Sequence, residues 1–152
     1  AQSRVGPFDA VVADSMGAVA SLHAMAQGLH ARRLVALAPS SPPASVLRWF
    51  GDAFGLRHDL LARMRARIET HEAMALEQFE APWLGLRVTT PVLLVHDRAD
   101  RMAPLANSEA LLRALPSAQL HATEGLSHRR ILSDPAVIER TLAHVAAGTR
   151  TS

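Results

Sequence analysis

Short apolar runs alternate with longer stretches of helical periodicity along this chain. Runs this short, rich in Val, Leu and Ala, are typical of strands buried on both faces. Each is followed by apolar positions at helical spacing, so strand, helix and strand recur within about 30 residues. That order predicts parallel strands joined by right-handed crossovers, and hence an α/β domain. The predicted strands are Val11–Ala13, Leu34–Ala38, residues 91–96 and Gln119–Thr123.

The segment from about residue 43 to 80 carries no strand pattern. It follows the turn-forming run PSSPPAS and predicts two or three helices inserted between the second and third strands. Its large apolar side chains fit a packed core better than a substrate pocket. We therefore predict a single domain over residues 1–152 with a helical insertion at about 43–80. The side chains concerned include Val46, Leu47, Trp49, Phe50 and Phe54.

The first strand passes into a helix through Ala13-Asp14-Ser15-Met16-Gly17. A serine on a tight strand-to-helix turn is typical of the nucleophile elbow, whose usual pattern is G-x-S-x-G. Such a turn exposes the Ser15 hydroxyl and aims the Met16 backbone N–H at the same point. At Gly17 a side chain is expected to collide with the strand or the turn. The S-x-G pattern alone is weak, because small residues are common at such turns.

Two further polar residues follow later strands. Asp100 lies in the loop after the third strand, and His128 in the loop EGLSHRR after the fourth. The carboxyl ends of parallel strands meet at one edge of a sheet, where sites form in open α/β sheets. Ser15, Asp100 and His128 are therefore expected to lie together, in the chain order Ser, Asp, His.

Three segments of the sequence resemble the motifs of a known fold family. VVADSMG, PVLLVHDRADRMAP and TEGLSHRRILSDP are similar to the elbow, acid loop and histidine loop of the α/β-hydrolase fold family, over the C-terminal half to two-thirds of that fold. The resemblance implies a three-layer α/β/α serine hydrolase, esterase-like, with a mostly parallel sheet. Its substrate would be a small ester-like acyl compound, with no cofactor or metal. Ser15 would be the nucleophile, His128 the base, Asp100 the orienting acid, and Met16 N–H an oxyanion donor.

Several alternatives stay open at this point. Asp97 is a second acid on the same loop, where the family usually has glycine. Asp14 could act on His128, line a pocket, or be a solvated turn residue. His96 fits a packed strand-end residue better than a catalyst. The departures at Ala13 and Asp14 also allow a non-catalytic fragment or binding module that retains the fold.

The family has further strands before the elbow, and one loop among them supplies the second oxyanion N–H. Here the elbow strand is only a few residues from the first residue. A truncated piece, one chain of a split enzyme and a swapped oligomer all fit this arrangement. The strand at residues 9–14 is therefore expected to pair with a missing N-terminal half of the fold or with a second copy.

Composition indicates the kind of organism and cellular compartment from which the protein comes. All 16 basic residues are arginine, which is typical of a high-GC bacterial genome, and there is no cysteine for a disulfide framework. No apolar run is long enough to span a membrane. Arg63, Arg65 and Arg67 fit a solvated helix face better than a nucleic-acid surface, and the histidines lack metal-ligand spacing. A cytoplasmic bacterial protein is the expectation.

Overall fold

Four parallel strands form the centre of the computed structural model, which describes residues 6–148. They pair in chain order, with Val12 beside Val35, Ala36 beside Leu94, and Leu94 beside Leu120. The predicted parallel α/β architecture is confirmed. The strands are β1 (Phe8–Asp14), β2 (Ala31–Leu37), β3 (Val92–Asp97) and β4 (Ala118–Thr123).

Seven α-helices connect these strands in the described part of the chain, together with a 3₁₀ turn at Leu76–Phe79. Two of the seven are too short for periodicity to predict: α4 has five residues and α6 has four. The residue His128 therefore lies on a short helix, and the predicted loop at that position is wrong. The helices are α1 (Ser15–Ala26), α2 (Pro43–Ala53), α3 (His58–Glu72), α4 (Ala81–Gly85), α5 (Leu105–Ala114), α6 (Ser127–Arg130) and α7 (Pro135–Ala146).

Helices cover both faces of the sheet, which gives the predicted three layers. On one face, Leu22 of α1, Leu84 of α4 and Leu111 of α5 pack in one cluster with side chains of β2 and β3. On the other face, Ile131 and Val137 pack against the alternate strand side chains, including those of Val35 and Leu93. Because side chains alternate across a strand, β2 and β3 must be apolar at successive positions.

The insertion helices contribute little to this core. Trp49 and Phe54 are 67% and 66% exposed, and α3 has no buried residue. The prediction that the large apolar side chains of this segment are packed core is therefore wrong for these two residues. Their exposure leaves an apolar surface on α2 and on Phe54, the residue that follows it.

Strand β1 lies at the end of the sheet, and its side chains are less buried than predicted. Val12 is 52% exposed and Val11 is half-buried, so the prediction of burial on both faces is wrong. The neighbouring expectation for Gly17 is also wrong, because a Cβ built there meets no atom within 4 Å. Val12 is exposed because no element among residues 6–148 covers that side of β1, whereas the strand that Gly17 was expected to meet lies more than 4 Å from its Cβ position. None of the helices described is long and apolar enough to cross a membrane.

We predict that the 152-residue chain associates through the open edge of β1. An uncovered parallel strand leaves backbone donors and acceptors available for another strand. Val12→Lys should shift the chain toward monomer in light scattering, because pairing would have to desolvate an added charge. Leu86→Lys, at an exposed leucine far from β1 along the chain, is the matched control and should leave the association unchanged. A monodisperse monomer of 16.4 kDa for the unaltered chain would contradict this prediction.

Candidate active site

Ser15 lies at the junction of β1 and α1 in a conformation that serine rarely adopts. Its φ is +49°, in the left-handed region, while Asp14 before it is extended. Non-glycine residues pay roughly 1–3 kcal/mol for such a conformation and keep it where the surroundings enforce it. The Ser15 carbonyl accepts a hydrogen bond from Ser40 N at 3.2 Å, which ties the turn to the segment after β2. The chain thus turns sharply at the position where the sequence predicts an elbow.

The His128 ring lies between the other two predicted residues. Its Nε2 is 3.1 Å from Ser15 Oγ, and its Nδ1 is 2.7 Å from Asp100 Oδ2. An ionised carboxylate can only accept, so we assign the ring proton to Nδ1, leaving Nε2 to accept from the Ser15 hydroxyl. Ser127, just before His128, has φ +59°, so the backbone is left-handed on this side of the site as well. The three residues that the sequence singled out are brought together in one hydrogen-bonded chain.

The carboxylate of Asp100 is fully buried and oriented from behind. Its Oδ1 accepts from Met102 N at 2.8 Å and from Ala103 N at 3.0 Å. Burial pushes the pKa of Asp100 upward, but the hydrogen bonds from Ala103, His128 and Met102 outweigh it and hold the pKa below its ordinary value. Asp100 therefore stays ionised beside the imidazole.

The alternative acid, Asp97, has different partners. It is fully buried, its Oδ1 accepts from Ala99 N, and its Oδ2 accepts from Thr123 Oγ1 and Leu126 N. Burial raises its pKa, and these hydrogen bonds lower it further than burial raises it, so the pKa lies below the ordinary value. Asp97 thus fastens the end of β3 to the segment that leads into α6, and Asp100 is the acid that contacts His128.

His96 and Asp14 occupy contrasting environments. The His96 ring is fully buried between Ser108 Oγ at 2.8 Å and the Ala103 carbonyl at 2.9 Å. It therefore supports the acid loop, as expected of a packed strand-end residue. Asp14 is exposed and its side chain makes no capping hydrogen bond to α1.

Met16 is the second residue of α1, so its backbone N–H has no acceptor within the helix. Its position after Ser15 fits the predicted oxyanion donor, and that role stays a prediction. No sequence pattern points to Ser40, whose backbone N–H bonds to the Ser15 carbonyl, or to the left-handed backbone at Ala38 and Ser127. In residues 6–148, no group of three or more His, Cys, Asp or Glu side chains is arranged to hold a metal ion.

We predict that the two buried aspartates respond differently to amidation. Asp97→Asn should lower the free energy of unfolding by about 1–3 kcal/mol, because both carboxylate oxygens accept from N–H or O–H donors and an amide NH₂ would oppose one of them. Asp100→Asn should cost less, because its remaining oxygen can still accept from Met102 N and Ala103 N. Urea unfolding at pH 7 measures both, with the exposed Asp52→Asn as control.

The same variants carry a pH signature. The folded-state pKa of Asp97 is depressed, so its ionisation stabilises the fold above the unfolded-state pKa of about 3.9. That stabilisation is lost as pH falls through the lower, folded-state pKa. Asp97→Asn should therefore flatten the fall in stability at acid pH. An acid limb identical to that of the unaltered protein would show that Asp97 does not have this role.

No family model matches the chain. A 68-residue stretch, 45% of the chain, is 37% identical to the protein named "Putative carbamate hydrolase RutD" from Pseudomonas savastanoi pv. phaseolicola. The same stretch length and identity are found in the protein of that name from Pseudomonas syringae pv. syringae. The matched stretch spans about a quarter of these relatives' own length, 26%.

Solved structures match over most of the chain. Serine hydrolase CCSP0084 from Cycloclasticus zankles superimposes with a TM-score of 0.64 at 16% identity, over 99% of this chain and 68% of its own. Est1E from Butyrivibrio proteoclasticus, solved with ferulic acid, superimposes with a TM-score of 0.60 at 22% identity, over 88% of this chain and 58% of its own. MGS-MChE2 is described as an alpha/beta hydrolase enzyme from a sediment metagenome of Mar Chica, Morocco. It superimposes with a TM-score of 0.60 at 16% identity, over 93% of this chain and 62% of its own. Sequence identities this low are evidence for the fold alone. The chain therefore has part of the α/β-hydrolase fold.

Proposed function

We propose that this chain carries the catalytic residues of a serine hydrolase that cleaves a small ester-like acyl substrate. The observation that supports it best is the His128 ring, hydrogen-bonded through Nε2 to Ser15 Oγ and through Nδ1 to the buried Asp100. A serine hydroxyl is a weak nucleophile unless a base removes its proton. The same base is held in the required tautomer by a carboxylate that stays ionised.

The proposed reaction has two halves. Ser15 Oγ attacks the carbonyl carbon while its proton passes to His128 Nε2, and Asp100 stabilises the resulting imidazolium. The C–O bond to the leaving alcohol then breaks, and the alcohol takes the proton from His128. A water molecule, deprotonated by His128, attacks the acyl-serine, and the proton returns to Ser15 as the carboxylic acid leaves.

The oxyanion formed in each half needs hydrogen-bond donors. We assign one to the Met16 backbone N–H, which also lies at the positive end of the α1 dipole. A single donor of this kind typically contributes about 3 kcal/mol to transition-state stabilisation. No second donor is assigned.

The comparisons support the reaction class. The similar proteins are named as a putative carbamate hydrolase, a serine hydrolase and an alpha/beta hydrolase enzyme. The serine chemistry proposed here serves esters and carbamates alike. Because the chain spans only part of each relative, the activity is proposed for the whole protein. The proposed source is a bacterium, which rests on the arginine-only basic composition, and the proposed setting is its cytoplasm, where a chain without cysteine needs no oxidising conditions.

A second candidate is a binding module that retains the fold without turnover. Asp14 favours it, because an exposed carboxylate next to Ser15 would repel an oxyanion held at Met16 N–H. Under this alternative Ser15 would be no more reactive than any other serine. A probe of serine reactivity therefore separates the two.

We predict that a fluorophosphonate probe labels the full-length protein at Ser15. Ser15→Ala should abolish labelling, and His128→Ala should slow it at least ~10³-fold, since the hydroxyl loses its base. Ser133→Ala, at an exposed serine on another loop, is the matched control and should label normally. Turnover of 4-nitrophenyl acetate should follow the same order, with the isolated 152-residue chain weak or inactive. Labelling that survives in Ser15→Ala would rule the assignment out.

A further inference from the structure

A cleft of about 470 Å³ opens between the insertion helix α2 and the loop that carries Asp100. One wall is Trp49 with Val46, and the other is Met102 with Arg101. Trp49 and Met102 are 67% and 68% exposed, which is unusual for such large apolar side chains. A concave apolar surface with few polar groups is the usual form of a small-molecule site.

The cleft is lined by residues that contact the proposed catalytic residues, and not by Ser15, Asp100 or His128 themselves. Its lining includes Ser40, whose N–H donates to the Ser15 carbonyl. Its far wall begins at Arg101, the residue after Asp100, and continues to Met102, whose N–H donates to the Asp100 carboxylate. A ligand in the cleft would therefore lie beside the elbow and the acid loop at once.

The cleft also has a cationic end. Among the residues described, Arg101 makes no hydrogen bond or ion pair, and the carboxylate next to it in sequence is buried against His128. Ser41 Oγ accepts from Asn107 Nδ2, and Ser45 Oγ accepts from Arg48. Each hydroxyl thus keeps its own hydrogen to donate, so one arginine and two hydroxyls are available to an anion.

A neighbouring cavity of about 210 Å³ differs in charge. It shares Ser40 and Ser45 with the cleft, and its other lining residues are apolar except for Glu80 and Asn107. An anionic group would be repelled by Glu80 and attracted by Arg101. Charge therefore selects the cleft, and not the cavity, for the negative end of a ligand.

We propose that this cleft binds the part of the substrate that carries a carboxylate on an aromatic or bulky apolar body, with Arg101 determining specificity. The identification of this ligand as substrate rests on the proposed hydrolase function, whereas its binding does not. The apolar body would contact Trp49 and Met102, and the carboxylate would receive a planar pair of N–H donors from Arg101.

The test compares 4-nitrobenzoate with its neutral isostere 4-nitrobenzamide in the full-length protein. Trp49 is one of two tryptophans in this sequence, so Trp83→Phe makes its fluorescence specific for the cleft on this part of the chain. We expect the carboxylate to bind at least tenfold more tightly than the amide. Arg101→Ala should reduce that ratio to about twofold or less. Arg98→Ala removes an exposed arginine three residues earlier and should retain the ratio.

Equal affinity for the two compounds, or equal effects of Arg98→Ala and Arg101→Ala, would overturn the proposal. Calorimetric titration of the protein with both tryptophans gives the same ratio without dependence on Trp83→Phe. Ser15→Ala should bind 4-nitrobenzoate unchanged. Loss of Ser15 labelling would therefore remove the hydrolase assignment without affecting this titration, and a failed titration would leave the labelling result standing.

Discussion

The left-handed backbone at Ser15 is the constraint on which the site depends. A regular strand or helix at this residue would carry the hydroxyl away from His128, so the hydrogen bond at 3.1 Å requires the turn. Two features enforce it: Asp14 is paired with Leu37 of β2, and Ser40 N donates to the Ser15 carbonyl. Ala38 and Ser127 also have positive φ, so three of the four such non-glycine residues described lie near this edge of the sheet. Strain of this kind concentrates where structure is built for function.

Three buried side chains at the end of β3 and in the loop after it have different roles. Asp97 fastens the loop to the segment before His128, His96 holds it from beneath through the Ala103 carbonyl, and Asp100 faces the imidazole. Each carboxylate oxygen has a donor from the protein, so neither acid depends on solvent to remain charged. A preorganised negative group of this kind stabilises an imidazolium with little reorganisation when the proton moves.

Much of this could be predicted from the sequence, because long-range order follows from simple rules. Parallel strands of Val, Leu and Ala place their carboxyl ends together, so Ser15, Asp100 and His128 could be grouped without a contact map. At the start of α7, Asp134 accepts hydrogen bonds from Ala136 N and Val137 N, and an Asp followed by Pro is typical of a helix start. Which of Asp97 and Asp100 contacts His128, and which anchors the loop, could not be predicted from the same rules. It depends on which backbone N–H groups the folded loops present to each carboxylate.

The errors also have physical reasons. Helices of four and five residues are too short to show periodicity, so the sequence pattern does not predict α4 or α6. Apolar composition predicts burial only where another surface is available, and in the described residues none covers Trp49 or Val12. Trp49, which is exposed and not buried as predicted, lines the cleft beside the site.

The decisive experiment is a crystal structure of the full-length protein after reaction with a fluorophosphonate. We expect phosphorus bonded to Ser15 Oγ, with a phosphoryl oxygen accepting a hydrogen bond from Met16 N and His128 still paired with Asp100. Phosphorus on another residue, or a phosphoryl oxygen turned away from Met16 N, would contradict it.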